Sequence, residues 1–203
     1  MSTEPTPDRP RRATCAVCAR PRTTCLCAWV RPVAHATEVL VLQHPLEAHH
    51  AKNTARLLHL SLARSQLVVG EVFDPATLPS PRFTVLLYPP DPPGVAPPPA
   101  SAPAVWPAPA HLRLVVLDAT WRKSRKMLHL NPWLRALPRL SLDRATPSAY
   151  AIRKAHQPGQ LSTLEATCTA LAQLEGPAAS VAPLLDAFGG FVKEFQAFLP
   201  SSA

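Results

Sequence analysis

Four of the five cysteines fall close together, as Cys15-Ala-Val-Cys18 and Cys25-Leu-Cys27. Thiolates at these separations fold around one tetrahedral ion, and zinc is the usual occupant of a four-sulfur site. The first pair has the common two-residue spacer and the second is tighter. Four free thiols in a loop, or an iron–sulfur cluster, are the other readings of the same spacing. Nothing in the pattern leaves an open coordination position, so the expected metal site is structural. The second grouping with chemistry in it is Asp118-Ala-Thr-Trp121, followed by Arg122, Lys123, Arg125 and Lys126. A carboxylate there can accept a proton or orient a weakly acidic group. The indole can stack on a base and the cations can meet phosphates. The plainer reading makes Asp118 a helix N-terminal carboxylate stabilised by the dipole, and Trp121 a core residue. His44, His49 and His50 read as solvated or nucleic-acid-facing, because no metal-ligand spacing with a carboxylate accompanies them.

Asp118 owes its position to the run before it. Residues 112–117 are apolar and β-branched over the length of one strand. A basic helix follows, with Thr120 as its expected N-cap and Asn131-Pro132 as its stop. Asp118 then lies where a buried strand opens into a helix, the place where open α/β sheets bind ligands. Residues 37–43, 67–73, 83–88 and 138–142 are the other expected strands. A helix is predicted after the first, from Ala51, Ala55, Leu58 and Leu62 at helical spacing, and a short turn at 133–137. Ser162 and Glu165 fit a capping box, opening a helix whose apolar stripe includes Cys168 as a core residue. A last amphipathic stretch runs from Val181 to Phe198, with Gly189-Gly190 expected to loosen it midway.

This alternation predicts an α/β fold: a mostly parallel sheet with flanking helices, plus a small N-terminal zinc-binding segment. The expected divisions are a disordered tail over 1–14, the zinc segment over 15–36, and one main domain over 37–203. A Pro/Ala-rich excursion over 89–110 interrupts that domain. Loops at 44–52, Tyr88, 118–121 and 150–163 should converge at one sheet edge. The 203 residues carry a formal net charge of +8, which favours a polyanion partner. No apolar run approaches the roughly 18 residues that span a membrane. The first dozen residues lack the apolar core of a secretory signal, so the expected compartment is the cytoplasm. No obligate protein partner is evident. No glycine-rich dinucleotide motif, phosphate-loop lysine or recognisable Ser or Cys nucleophile occurs.

A set of short motifs carries a resemblance. In order they are Cys15-x-x-Cys18 with Cys25-x-Cys27, Gln43-His-Pro-x-Glu47, Lys52-Asn-Thr54, Tyr88-Pro89, Asp118-Ala-Thr-Trp121, Leu137-Pro-Arg-Leu140 and Ser162-Thr-Leu-Glu-Ala166. Their order resembles that of the DTW-domain family. Ala119 stands where similar proteins often have glycine, and the Pro/Ala-rich segment departs in length and composition. The resemblance implies a knotted α/β fold like that of the SPOUT methyltransferases. It implies transfer of the 3-amino-3-carboxypropyl group from S-adenosylmethionine to N3 of a tRNA uridine, with methylthioadenosine leaving. Residues 37–203 would then be the catalytic domain. Asp118, with Thr120 and Trp121, would be catalytic. Tyr88, Pro89, Leu117, Asp118, Leu140, Leu161, Ser162 and Thr163 would bind the cofactor. Lys52, Asn53, Arg122, Lys123, Arg125, Lys126, Arg153 and Lys154 would hold tRNA. The rival readings are an RNA methyltransferase of the same fold and a zinc-containing RNA-binding module without catalysis.

Overall fold

The structure is a computed structural model that describes residues 13–48, 50, 53–77, 81–90, 102–142 and 161–197. Five strands form one sheet in which every pair is parallel: β1 (Glu38–Gln43), β2 (Ser65–Val69), β3 (Phe83–Leu87), β4 (Leu112–Asp118) and β5 (Arg139–Leu140). Their order across the sheet is β2-β1-β4-β3-β5. Parallel strands sandwiched between helices need apolar side chains on both faces. The two central strands obey this: Val39 to Leu42 on β1 and Leu112 to Val116 on β4 are all buried.

The strand period of two divides these side chains between two cores. Val39, Val41, Leu114 and Val116 face a core completed by α2 (Ala55–Ser61), α5 (Thr163–Glu175) and α6 (Ala182–Ala197). Leu40, Leu42 and Val115 face the other, completed by Met127 and Leu128 of α3 (Trp121–Leu130) and Leu134 of α4 (Pro132–Ala136). Each such side chain, fully buried, contributes about 1.5–3 kcal/mol. A single turn of helix, α1 (Pro45–Ala48), intervenes between β1 and α2. Among the described residues, no helix is long and apolar enough to cross a membrane.

The cysteine segment is not a free appendage. Cys18, Leu26 and Val33 are buried in the core shared with α2, α5 and α6. Its Trp29 packs on α6 so closely that a Cβ built on Gly190 would lie 2.4 Å from the indole. Gly190 therefore does not loosen α6. The helix runs through both glycines unbroken, because one of them is where the indole seats.

Two strand boundaries differ from expectation. The edge strand β2 begins at Ser65 and ends at Val69, earlier than the apolar run at 67–73 implies. The chain is captured there by Asn131, whose side chain accepts from the Phe73 N–H at 2.8 Å and donates to the Glu71 carbonyl at 2.7 Å. β5 is only two residues long. Thr120 occupies the N-cap position of α3 in extended conformation, but its hydroxyl makes no capping bond. The capping box at α5 is present in full: Ser162 Oγ accepts from the Glu165 N–H, and Glu165 Oε2 accepts from the Ser162 N–H. The tail over 1–12, most of the Pro/Ala-rich excursion and the whole connection 143–160 lie outside the described residues.

Candidate active site and metal centre

All strand ends of a parallel sheet point the same way, so β1 and β4 deliver Gln43 and Asp118 side by side at the carboxyl edge. Asp118 is buried, at 4 % exposure. Its Oδ2 accepts from Gln43 Nε2 at 2.8 Å and from Asn53 Nδ2 at 2.5 Å. Its Oδ1 accepts from Thr163 Oγ1 at 2.6 Å. Gln43 also donates to Asn53 Oδ1 at 3.2 Å, so the two amides brace each other. Asn53 Oδ1 further accepts from the Ala55 N–H at 3.0 Å, which places it at the mouth of α2. All three donors to Asp118 are neutral. No cation among the described residues pairs with it.

Three residues on, Trp121 is half exposed and meets Tyr88 edge-on, with ring centroids 5.7 Å apart and planes at 72°. The Tyr88 hydroxyl lies 3.2 Å from Ser124 Oγ on α3. The Arg139 guanidinium lies 5.2 Å from the Tyr88 ring centroid and donates to the Pro89 carbonyl at 3.0 Å. On the other flank of α3 the lysines are matched by acids. Lys123 pairs with the buried Glu47, and Lys126 with Glu71, both at 2.8 Å. Hydrogen bonds from Lys126 and then His44 hold the Glu71 carboxyl below the usual range.

The four cysteines meet the demands of a metal. Their Sγ atoms all lie within 4.8 Å of one another. The pairs Cys15–Cys27 and Cys18–Cys25 are each 3.7 Å apart. A tetrahedral zinc with bonds of about 2.3 Å requires sulfurs about 3.8 Å apart. The turn that brings Cys15 to Cys18 is closed by Ala19, at a φ of 55°, whose N–H donates to the Cys15 carbonyl at 2.9 Å. The amides of Cys18 and Val17 pull the Cys15 thiol down to about 6. Desolvation first, then the crowding thiols, push Cys27 up to about 12. A divalent cation at the centre removes that conflict by deprotonating its ligands. The segment also reaches the carboxyl edge, since Arg20 Nη2 donates to the Asn53 carbonyl at 2.5 Å.

The expected site residues are thus divided. Asp118 and Thr163 meet through their side chains. Tyr88 and Trp121 meet each other, with Thr120 exposed between Asp118 and α3. Asn53, expected on a phosphate, is buried against Asp118 instead. Leu117 is half-buried on β4 and Leu140 buried on β5, while Leu161 is half-buried just before the α5 cap. The N–H and hydroxyl of Ser162 are both engaged by Glu165. Pro89 is exposed and its carbonyl receives Arg139. Arg122 and Arg125 are exposed on α3. Lys52, Arg153 and Lys154 lie outside the described residues, as do His49 and Tyr150. Cys168 is buried, and desolvation pushes its thiol up to about 12, as suits an inert core sulfur. The residue that sequence reasoning left without a role is Gln43. Its signal was a polar side chain closing an otherwise apolar buried strand.

The family model for the DTW domain matches residues 12–196. The tRNA-uridine aminocarboxypropyltransferase 2 of Mus musculus is 29% identical over 182 residues, covering 81% of this chain and 57% of the relative. The protein of that name from Drosophila melanogaster is 32% identical over 179 residues, covering 81% and 68%. The tRNA-uridine aminocarboxypropyltransferase A of Arabidopsis thaliana is 31% identical over 144 residues, covering 58% and 51%. The chain thus spans between about half and two thirds of the length of these relatives. No solved structure matches it. Matched by the family model over nearly its whole length, the chain belongs to the DTW-domain family.

Proposed function

We propose that this protein transfers the 3-amino-3-carboxypropyl group of S-adenosylmethionine to N3 of a uridine in tRNA, on a knotted SPOUT-like fold in the cytoplasm. The names of its relatives support the reaction class. The observation that carries the reading is the convergence on Asp118. Gln43, Asn53 and Thr163 come from three separated motifs of the family pattern, and all three donate to that one carboxylate.

S-adenosylmethionine supplies an electrophilic γ-carbon and a sulfonium leaving group. The site suits it: a carboxylate with no cation partner among the described residues complements its positive charges. Uridine N3 is protonated at neutral pH and must lose that proton to attack. Asp118 receives it. The N3–carbon bond forms as the carbon–sulfur bond breaks, and the electron pair leaves with neutral methylthioadenosine. Gln43, Asn53 and Thr163 hold the carboxylate in one orientation, so little reorganisation accompanies the transfer. Zinc, held by Cys15, Cys18, Cys25 and Cys27, is structural and contributes to folding.

The test is mass spectrometry of tRNA nucleosides and small-molecule products after incubation with S-adenosylmethionine. Methylthioadenosine and aminocarboxypropyl-uridine are expected, from a preparation holding about one zinc per chain. S-adenosylhomocysteine with a methylated nucleoside would assign methyl transfer instead. Neither product, together with no cofactor binding in calorimetry, would leave a metal-stabilised RNA-binding module.

A further inference from the structure

On the side of α3 away from the two lysine–glutamate pairs lies a cleft of about 410 Å³. Tyr88 and Leu128 form its apolar part, and Arg125, His129, Arg135 and Arg139 its polar part. No acidic residue lines it among the described residues. Arg125 and Arg135 are exposed, and neither pairs with an acid among the described residues. Lys123 and Lys126 of α3 are thus spent on Glu47 and Glu71, whereas Arg125 opens into a cleft with no acid among its described lining residues.

The cleft is also partly preorganised. Arg139 is held by the Tyr88 ring and the Pro89 carbonyl, so fixing it on a ligand costs less side-chain entropy. Guanidinia match phosphate geometry through paired donors. The Tyr88 ring that floors the cleft abuts the half-exposed indole of Trp121. Cations beside an exposed aromatic face are the means by which proteins hold unpaired nucleic acid, phosphates in the groove and bases on the rings. S-adenosylmethionine fits the cleft poorly, because its sulfonium and ammonium would enter a field of like charge. Trp121 is only three residues from Asp118, so a strand crossing the rings passes beside the reacting edge.

We propose that the Arg125–Arg135–Arg139 cleft seats the backbone phosphates of an unpaired RNA segment next to the target uridine, with a neighbouring base on Trp121. This rests on the reading of the protein as a tRNA-modifying enzyme. The RNA grip then lies in the arginine cleft, and the paired lysines of the opposite flank serve the fold.

The experiment compares Arg125→Ala with Arg135→Ala, as a double variant, against Lys123→Ala with Lys126→Ala. Binding of an unmodified tRNA transcript is measured across salt concentrations. Each released phosphate contact removes roughly 0.7–0.9 from the slope of log K against log salt. The arginine variant should lose about 1.4–1.8 in slope, and the lysine variant less than half of one contact. Affinity for S-adenosylmethionine, by calorimetry, should stay within about twofold in both. A single-stranded oligoribonucleotide should compete for the wild type and a blunt duplex should not. Arg125→Gln with Arg135→Gln, which keeps more of each stem, repeats the measurement should the alanine pair melt early. A wild-type slope in the arginine variants, equal losses in both pairs, competition by duplex, or a selective loss of cofactor affinity would each overturn the proposal. An arginine-dependent slope without methylthioadenosine formation keeps the cleft and sinks the reaction. Product formation with an unaltered slope does the reverse.

Discussion

The β1–β4 ladder carries a carboxylate at each end, Glu38 part-buried and Asp118 buried, and the two are treated in opposite ways. At the amino end Glu38 faces Arg113 in register; its Oε1 accepts from Arg113 Nε at 2.5 Å, and Arg82 Nε lies 2.9 Å from its Oε2. At the carboxyl end Asp118 faces Gln43 in register, and its donors among the described residues are amides and a hydroxyl. Both carboxylates are hydrogen-bonded, so neither is an orphan. Among the described residues, only the first is paired with cations. Cancelling a buried charge is what stability asks for, because removing one partner of such a pair is costly. Holding a charge with neutral dipoles fixes its place and leaves the charge itself for something that arrives from outside.

That contrast breaks most sharply at Asp118. In Asp118→Asn, Gln43 and Asn53 can keep donating to the remaining oxygen, and the Thr163 hydroxyl can turn to accept from the new amide. The fold should therefore survive, with a change in stability of about 1 kcal/mol. Single-turnover formation of methylthioadenosine should fall about 10²–10⁴-fold, the usual contribution of one general base. Wild-type turnover would remove Asp118 from the chemistry. Glu38→Gln should show the opposite split. Arg113, 2 % exposed, is left against a neutral amide, at a cost of about 3 kcal/mol or more in a denaturant titration. Turnover per folded molecule should be unchanged; a loss of turnover with normal stability would erase the distinction between the two ends. Thr163→Val is the finest cut. It removes one neutral donor to a charged acceptor, worth about 1.5–3 kcal/mol. We expect a melting shift together with roughly a tenfold slower turnover, since 1.4 kcal/mol corresponds to tenfold. A shift in melting alone would make Thr163 purely structural.

Much of this ladder was legible in the sequence. The apolar runs of β1 and β4, and the centre of β3, are buried on both faces, so composition alone marked them, and their alternation with helices implied parallel pairing. The α5 capping box was legible because both of its partners lie within one turn. β2 was misplaced because it is an edge strand. Its Val68 and Val69 are exposed, and its end is set by Asn131, about 60 residues away. The hub around Asp118 was hidden for a related reason. Motif order brought Gln43, Asn53 and Thr163 into view, but nothing local reveals that these side chains, each 45 to 75 residues from Asp118, share its carboxylate. Asn53 in particular reads as a surface polar residue until the start of α2 turns it inward. The pairing of Lys123 and Lys126 was equally invisible, because charge counts on one helix say nothing of acids on another.

The seat of Trp29 on Gly190 has a consequence in time. Synthesis proceeds from the N-terminus, so the cysteine segment is made about 160 residues before the helix that covers it. At about 5–20 residues per second that interval is roughly 10–30 s. Throughout it four thiols and an indole stand without their final cover. Metal capture can thus come early, while docking must wait for the last helix, and any side chain larger than hydrogen at position 190 would obstruct that closing step.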